Sequence, residues 1–274
     1  MPDHAELDEL TPLVFDAHCH LHLDQSDAGE HEAQALVQRL KGCALMSLEQ
    51  SDWGRVAALS QRATSTRALF GIHPWRAHMY AGRVDWVDQL REVLQSHAGS
   101  AIGEIGLDRQ WRPPETGQVE YEAQREVFQV QLALAAELDL PVSIHCVQAQ
   151  GDLYSELSAA PSLPPAIYLH AFGGAAGTVE QLIRARRFGR RLYFGFATCV
   201  NLRSPKGRAA IAQVPEDRLL VESDRSSALP AGRNERELHE MLTLYAEVKG
   251  WAGGAEMAAA RTAQNAITFY RVID

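Results

Sequence analysis

Eight short apolar runs recur along the 274 residues at a steady interval, and that recurrence leaves few folds open. They are Leu13–Phe15, Cys43–Ser47, Ala68–Gly71, Ala101–Ile105, Pro141–Ile144, Ala166–Leu169, Leu192–Phe196 and Leu219–Val221. Segments with helical spacing lie between them. Glu120–Leu138 is the clearest, with Phe128, Gln131/Leu132, Ala135 and Leu138 about a turn apart. Thr178–Phe188, Pro205–Val214 and Asn234–Val248 read the same way, and the Ala-rich Gly254–Tyr270 reads as a closing helix. Strands alternating with helices imply βαβ units on a parallel sheet. Eight units close into a (β/α)8 TIM barrel. A doubly wound open sheet is the other arrangement. The count of eight favours the barrel. So does the position of the polar candidates at the strand C-termini, the catalytic face of such barrels. The expected organisation is one barrel over residues 1–274, with Met1–Thr11 as a loose N-terminal tail. The longest loop-like insertion is Trp111–Gln118, which contains Pro113-Pro114.

The strand ends carry the chemistry. The first run leads into Asp16-Ala17-His18-Cys19-His20. Residues i and i+2 of a strand share a face, so His18 and His20 can grip one cation while Cys19 points away. The fourth ends in Gly103-Glu104-Ile105-Gly106-Leu107-Asp108. A glutamate in so apolar a setting is costly to bury without a cation, and its two oxygens can bridge two metals. His145 and His170 close the fifth and sixth runs. Glu222-Ser223-Asp224 follows the eighth; Asp224 can bind metal and take a proton from a metal-activated water. Glu222 shares its parity, which leaves a paired-carboxylate role open. His73, in Gly71-Ile72-His73-Pro74-Trp75, sits at the same level and reads as a substrate contact. His4, His31, His78, His97 and His239 lack such a setting and read as surface histidines.

Charge and composition narrow the class. The formal net charge of −9 argues against a dedicated nucleic-acid binder, but not against an enzyme acting on phosphates through cations. Cys19, Cys43, Cys146 and Cys199 are widely spaced, which favours reduced thiols and a cytoplasmic setting. No apolar run approaches the ~18 residues of a membrane span. Met1–Thr11 lacks the basic start and apolar stretch of a secretory signal. The basic run Arg184–Arg191 ends a helix at the far end of the barrel and reads as a solvated helix end. Arg109, Arg112, Arg203, Lys206, Arg208 and Arg225 fall in catalytic-face loops, where they could surround a phosphate. Trp75 and Trp111 could stack on a base or pack within loops.

Taken in order, these motifs resemble the TatD family of metal-dependent deoxyribonucleases, within the amidohydrolase-like barrel superfamily. Asp16–His20 is similar to its D-x-H-x-H, Gly71–Pro74 to its G-I-H-P, and Ala101–Asp108 to its A-I-G-E-I-G-L-D. Gln124-x-x-x-Phe128-x-x-Gln131 with Leu140–His145 resembles its long helix and fifth strand. Glu222-Ser223-Asp224 stands for its E-T-D, and Asn265-Ala266 for its closing N-A. The resemblance implies two divalent metals (Zn, Mn, Mg or Fe), one held by His18, His20, Glu104 and Asp224, the other by Glu104, His145 and His170. Glu104 then bridges and Asp224 is the base, so these two are the catalytic pair. It implies exonuclease action on DNA, with nucleic acid as a transient substrate and no membrane or stable protein partner. His73, Trp75, Arg109 and Arg225 are the expected substrate contacts. The chain departs from the family pattern beside the ligands, at Arg109, Val147, Gly173 and Arg225. Those departures leave room for another ester or amide, such as a D-aminoacyl-tRNA, or for a non-catalytic scaffold.

Overall fold

The computed structural model describes residues 4–114, 116–198 and 204–271. Its strands are β1 (Phe15–Cys19), β2 (Gly42–Met46), β3 (Thr66–Phe70), β4 (Ala101–Asp108), β5 (Val142–Val147), β6 (Ile167–Leu169), β7 (Leu192–Phe196) and β8 (Leu219–Val221). All pair in parallel in the order β1 to β8. The helices are α1 (His4–Leu10), α2 (Asp27–Arg39), α3 (Trp53–Ser60), α4 (Asp85–Ser96), α5 (Tyr121–Glu137), α6 (Gln150–Ala159), α7 (Ala176–Ile183), α8 (Pro205–Gln213), α9 (Arg233–Lys249) and α10 (Gly254–Tyr270). The architecture is the expected eight-stranded barrel.

Strand parity divides the core. Cys43 and Leu45, Ile167 and Leu169, and Leu219 and Val221 pack outward in one apolar cluster with the helices. The residues between them, Ala44, Tyr168 and Leu220, belong to a second cluster in the barrel. Ala263, Ala266, Phe269 and Tyr270 of α10 join that inner cluster with Phe15 and Ala101, the first residues of β1 and β4. The closing helix therefore seals the N-terminal end, which leaves the C-terminal end for the polar side chains. Tyr270 stacks on Phe15 and donates to Ala17 O at 2.8 Å.

The barrel's last seam is laced just beyond the strands. Asp224 N–H donates to His18 O at 3.0 Å, and His20 N–H donates to Arg225 O at 2.7 Å. Asp16 reinforces the seam, since its carboxylate accepts from Ser223 N at 2.9 Å and Ser223 Oγ at 2.6 Å.

Three boundaries differ from the sequence reading. Residues 4–10 are helical, and Leu7 and Leu10 are buried where a loose tail was expected. A turn apart, they present one apolar face, and Leu10 joins the cluster of Val14, Leu40 and Leu238. The first strand starts at Phe15 because Thr11–Leu13 forms a 3-10 turn with Pro12 near its start. The seventh helix stops at Ile183, short of the basic run. Arg187 and Arg191 instead donate to carbonyls of Ser158, Ala160, Leu163 and Pro164. That run ties down a neighbouring loop, in keeping with the reading that did not make it a nucleic-acid patch.

Candidate metal centre

Glu104 lies midway along β4 and is 1% exposed. Gly106, at φ +151, lets β4 hold this register: a Cβ there would stand 2.0 Å from His145 O on the paired strand. The two oxygens of Glu104 face different partners. Oε2 is 3.3 Å from His18 Nε2 and 3.1 Å from His20 Nε2. Oε1 is 2.9 Å from His145 Nδ1, 2.6 Å from His170 Nε2 and 3.3 Å from His73 Nε2. Asp224 Oδ1 closes the first group, 3.8 Å from His18 Nε2 and 3.7 Å from His20 Nε2. All six expected ligands, and His73, thus come together.

The surroundings fix which nitrogen faces the centre. His20 Nδ1 is 2.9 Å from Met46 O, a group that only accepts, so Nδ1 carries a proton and Nε2 is the nitrogen that faces the centre. His18 Nδ1 meets Ser143 Oγ at 3.0 Å. His145 Nε2 lies 3.2 Å from the Asp108 carboxylate, which leaves Nδ1 for the centre. These are the outer contacts that orient metal-binding imidazoles. His73 is the opposite case. Its Nδ1 accepts from Trp75 N–H at 3.1 Å, so the neutral ring offers Nε2–H, a donor rather than a ligand.

Such a donor set fits cations. His18 Nε2, His20 Nε2 and Glu104 Oε2 stand 3.1–3.3 Å apart and act together as acceptors once both rings are neutral with Nε2 bare. Tetrahedral bonds of ~2.0–2.1 Å place ligand atoms about 3.3 Å from one another. Three lone pairs converging in a buried space are stabilised only by a proton or a cation. Histidine nitrogen with carboxylate oxygen suits Zn, Mn or Fe, and Mg with more water.

Electrostatics shows where charge rests without a cation. Burial pushes the Glu104 carboxyl up, but His170, His73 and His18 outweigh it and hold the group well below the carboxylate range. Burial also opposes the charge on His170, yet Glu104 carries its pKa to about 10. Burial and the neighbouring His170 drive His18 well below its ordinary value. Burial takes His73 down to about 4, in keeping with the neutral tautomer. The centre therefore holds a His170–Glu104 ion pair that an incoming cation must displace.

The flanking carboxylates do different work. Burial pushes Glu222 up to about 8, and it accepts from Tyr168 Oη and from Ala171 N–H at 2.5 Å. Asp224 leaves the strand at φ +52 and turns to the histidines. The shared face expected from parity is therefore absent, because β8 ends at Val221. Burial raises Asp16 to about 6 against the two Ser223 hydrogen bonds.

At the rim, Arg109 pairs with Asp152 at 2.8 Å and lies over the Tyr121 ring. Arg225 is gripped by Glu237 through Nε, at 2.6 Å, and Nη2. Trp75 stacks on Trp111 at 4.6 Å, and its Nε1 donates to Asp108 at 2.8 Å. Lys206 donates to Gly173 O and Arg208 pairs with Glu247. Arg203 and Cys199 lie outside the described residues.

The profile of the TatD related DNase family matches residues 15–271, nearly the whole chain. The chain belongs to the TatD related DNase family. It is 29% identical over 259 residues to a "3'-5' ssDNA/RNA exonuclease TatD" of Enterobacter lignolyticus, covering 89% of this chain and 94% of that protein. It is 28% identical over 217 residues to the "Uncharacterized metal-dependent hydrolase YabD" of Bacillus subtilis, covering 77% and 80%. Among solved structures, the TatD homologue YJJV of Escherichia coli superposes with a TM-score of 0.75 at 25% identity, over 95% of this chain and 99% of that one. This TatD-family chain is a metal-dependent hydrolase by kinship, with candidate ligands gathered at the expected end of the barrel.

Sequence reasoning quoted several supporting residues in motifs without giving them roles. Asp16 and Asp108 are such cases. Gln124 and Gln131 are others: seven residues apart, they share a face of α5. Gln124 exchanges hydrogen bonds with Asp108 N and O at 2.7 and 3.0 Å. Gln131 does the same with Ile72 N and O at 2.7 and 3.0 Å. The two amides thus pin the exit of β3 before His73 and the end of β4. The signal was the spacing of two glutamines inside an apolar helix face.

Proposed function

We propose that the protein hydrolyses phosphodiester bonds of nucleic acid, as an exonuclease, with two divalent cations. His18, His20, Glu104 and Asp224 hold one; Glu104, His145 and His170 hold the other. The observation that carries this reading is the split of Glu104, one oxygen toward each group. When bound, the cations supply Lewis-acid polarisation of the phosphate and a water of lowered pKa.

The chain supplies the remainder. Asp224 is among the more open members of the cluster, its side chain 24% exposed, so its carboxylate can reach an entering water and take its proton. His73 offers Nε2–H as a donor at the same level. Asp108, Ser143 and the carbonyl of Met46 hold ligand rings in one orientation through the reaction. Trp75, Arg109 and Arg225 border the entrance as substrate contacts. A cytoplasmic setting belongs to the same reading; Cys19, Cys43 and Cys146 are free thiols, and no helix among the described residues is long and apolar enough to cross a membrane.

Metal-loaded protein tests the reading on a panel of single-stranded DNA, RNA, aminoacyl esters and amides. Chelator-sensitive release of mononucleotides is the expected result. Turnover of esters or amides alone would replace it with another hydrolase, and a protein without bound metal or turnover would replace it with a scaffold. Asp224→Asn is expected to lower kcat by about 10²–10⁴-fold, the contribution of a positioned base.

A further inference from the structure

We propose that the Trp75–Trp111 pair is a base-stacking wall beside the metal centre, so that substrate is recognised there by its nucleobase rather than by its phosphates. The inference rests on nucleic acid being the substrate class. The two indoles stack at 4.6 Å and 22°. Trp75 meets the His73 ring at 4.7 Å and the His145 ring at 6.0 Å, so the wall adjoins the ligands.

One carboxylate sets its position. Asp108 Oδ2 accepts from Trp75 Nε1 at 2.8 Å and holds His145 Nε2 at 3.2 Å. Asp108 Oδ1 accepts from the backbone N–H of Gln110 at 2.7 Å and of Trp111 at 3.0 Å. Through Asp108 the wall and a metal-side histidine keep one spacing. Trp75 remains 36% exposed despite this anchoring. A base brings the flat π surface that the open side of Trp75 lacks.

Several arginines nearby are already engaged. Arg76 pairs with Glu49, Arg109 with Asp152, Arg208 with Glu247, and Arg225 and Arg233 with Glu237. A phosphate gains such an arginine only by displacing a carboxylate. Stacking has no such competitor and tolerates any base.

The decisive experiment compares two single-stranded oligonucleotides that differ only in whether the attacked terminal nucleotide carries its base. With metal-loaded protein, loss of the base is expected to lower kcat/KM by about ten- to a hundredfold, chiefly through KM. Trp75→Leu brings both substrates to the lower rate, and Trp75→Phe restores part of the preference. The slope of log kcat/KM against log salt is expected to be no steeper than about two. A slope of about four or more would mean that phosphate neutralisation dominates, and would overturn the wall. Equal rates on both ends overturn it while leaving phosphodiester hydrolysis intact. If neither end is cleaved, the phosphodiesterase reading falls, and binding decides the wall: base removal must then weaken affinity about tenfold by fluorescence anisotropy, and equal affinity rejects it.

Discussion

The floor of the centre and its rim are built in opposite ways. On the floor, His18, His20 and His145 are short side chains at strand ends, each tied on its outer nitrogen to Ser143, Met46 O or Asp108. The charged groups of the rim are long arginines on loops, tied to carboxylates that themselves are partly exposed. Arg109 is 48% exposed and its partner Asp152 34%. A floor of this kind keeps its geometry whatever substrate arrives. A rim of this kind rearranges with small losses, since exposed ion pairs contribute only about 0–1 kcal/mol. The ligand geometry is therefore set by the backbone, while the arginines of the rim are left to exchange partners.

Four measurements press on that contrast. Glu104→Gln removes the charge both groups share; bound metal is expected to fall below one ion per chain and turnover by more than the ~100-fold that losing an outer contact costs. Full metal content in that variant would break the bridging role.

Metal affinity should also rise with pH. The folded His170 pKa, about 10, lies above the ordinary 6.5. In metal-free protein its ion pair therefore stabilises fully below about pH 6.5, and that contribution is lost as pH rises toward 10. Glu222, pushed up to about 8 by burial, has the same sign, because the fold favours its neutral form. Cation binding displaces the His170 proton, so affinity should gain up to about tenfold per pH unit across that window. Thermal melts of metal-free protein and metal titrations at several pH values give both halves, and a flat affinity profile would contradict the ion pair.

Asp108→Asn removes the anion on the outer nitrogen of His145 and is expected to weaken metal binding by about 10–100-fold. Arg109→Ala marks the other extreme, with a change in unfolding free energy below about 1 kcal/mol by denaturant titration. A loss well beyond that would put the rim on the same footing as the floor.

The same contrast explains what the sequence made legible. Eight apolar runs, five of which carry a histidine or carboxylate along or just beyond the strand, follow from strand parity and barrel geometry, so the fold and the gathering of His18, His20, Glu104, His145, His170 and Asp224 could be read directly. Parity failed where a strand stopped: Glu222 and Asp224 were assigned one face, but β8 ends before them and Asp224 adopts a left-handed backbone. Long-range partners such as Arg225 with Glu237, or Asp108 with Trp75, depend on loop paths and side-chain reach, which no local pattern encodes. The helix at 4–10 went unread because two leucines in a polar stretch form too short a pattern to distinguish from a tail.

The seam between β1 and β8 joins residues 207 positions apart, with Asp16 holding Ser223 next to Asp224. A ribosome makes His18 and His20 early and Asp224 late. The emerging polypeptide thus carries two histidines but no assembled centre until its final βα unit docks. A metal-dependent hydrolase built this way would be inert throughout its own synthesis, and any prematurely terminated product that ends before residue 224 would be inert as well.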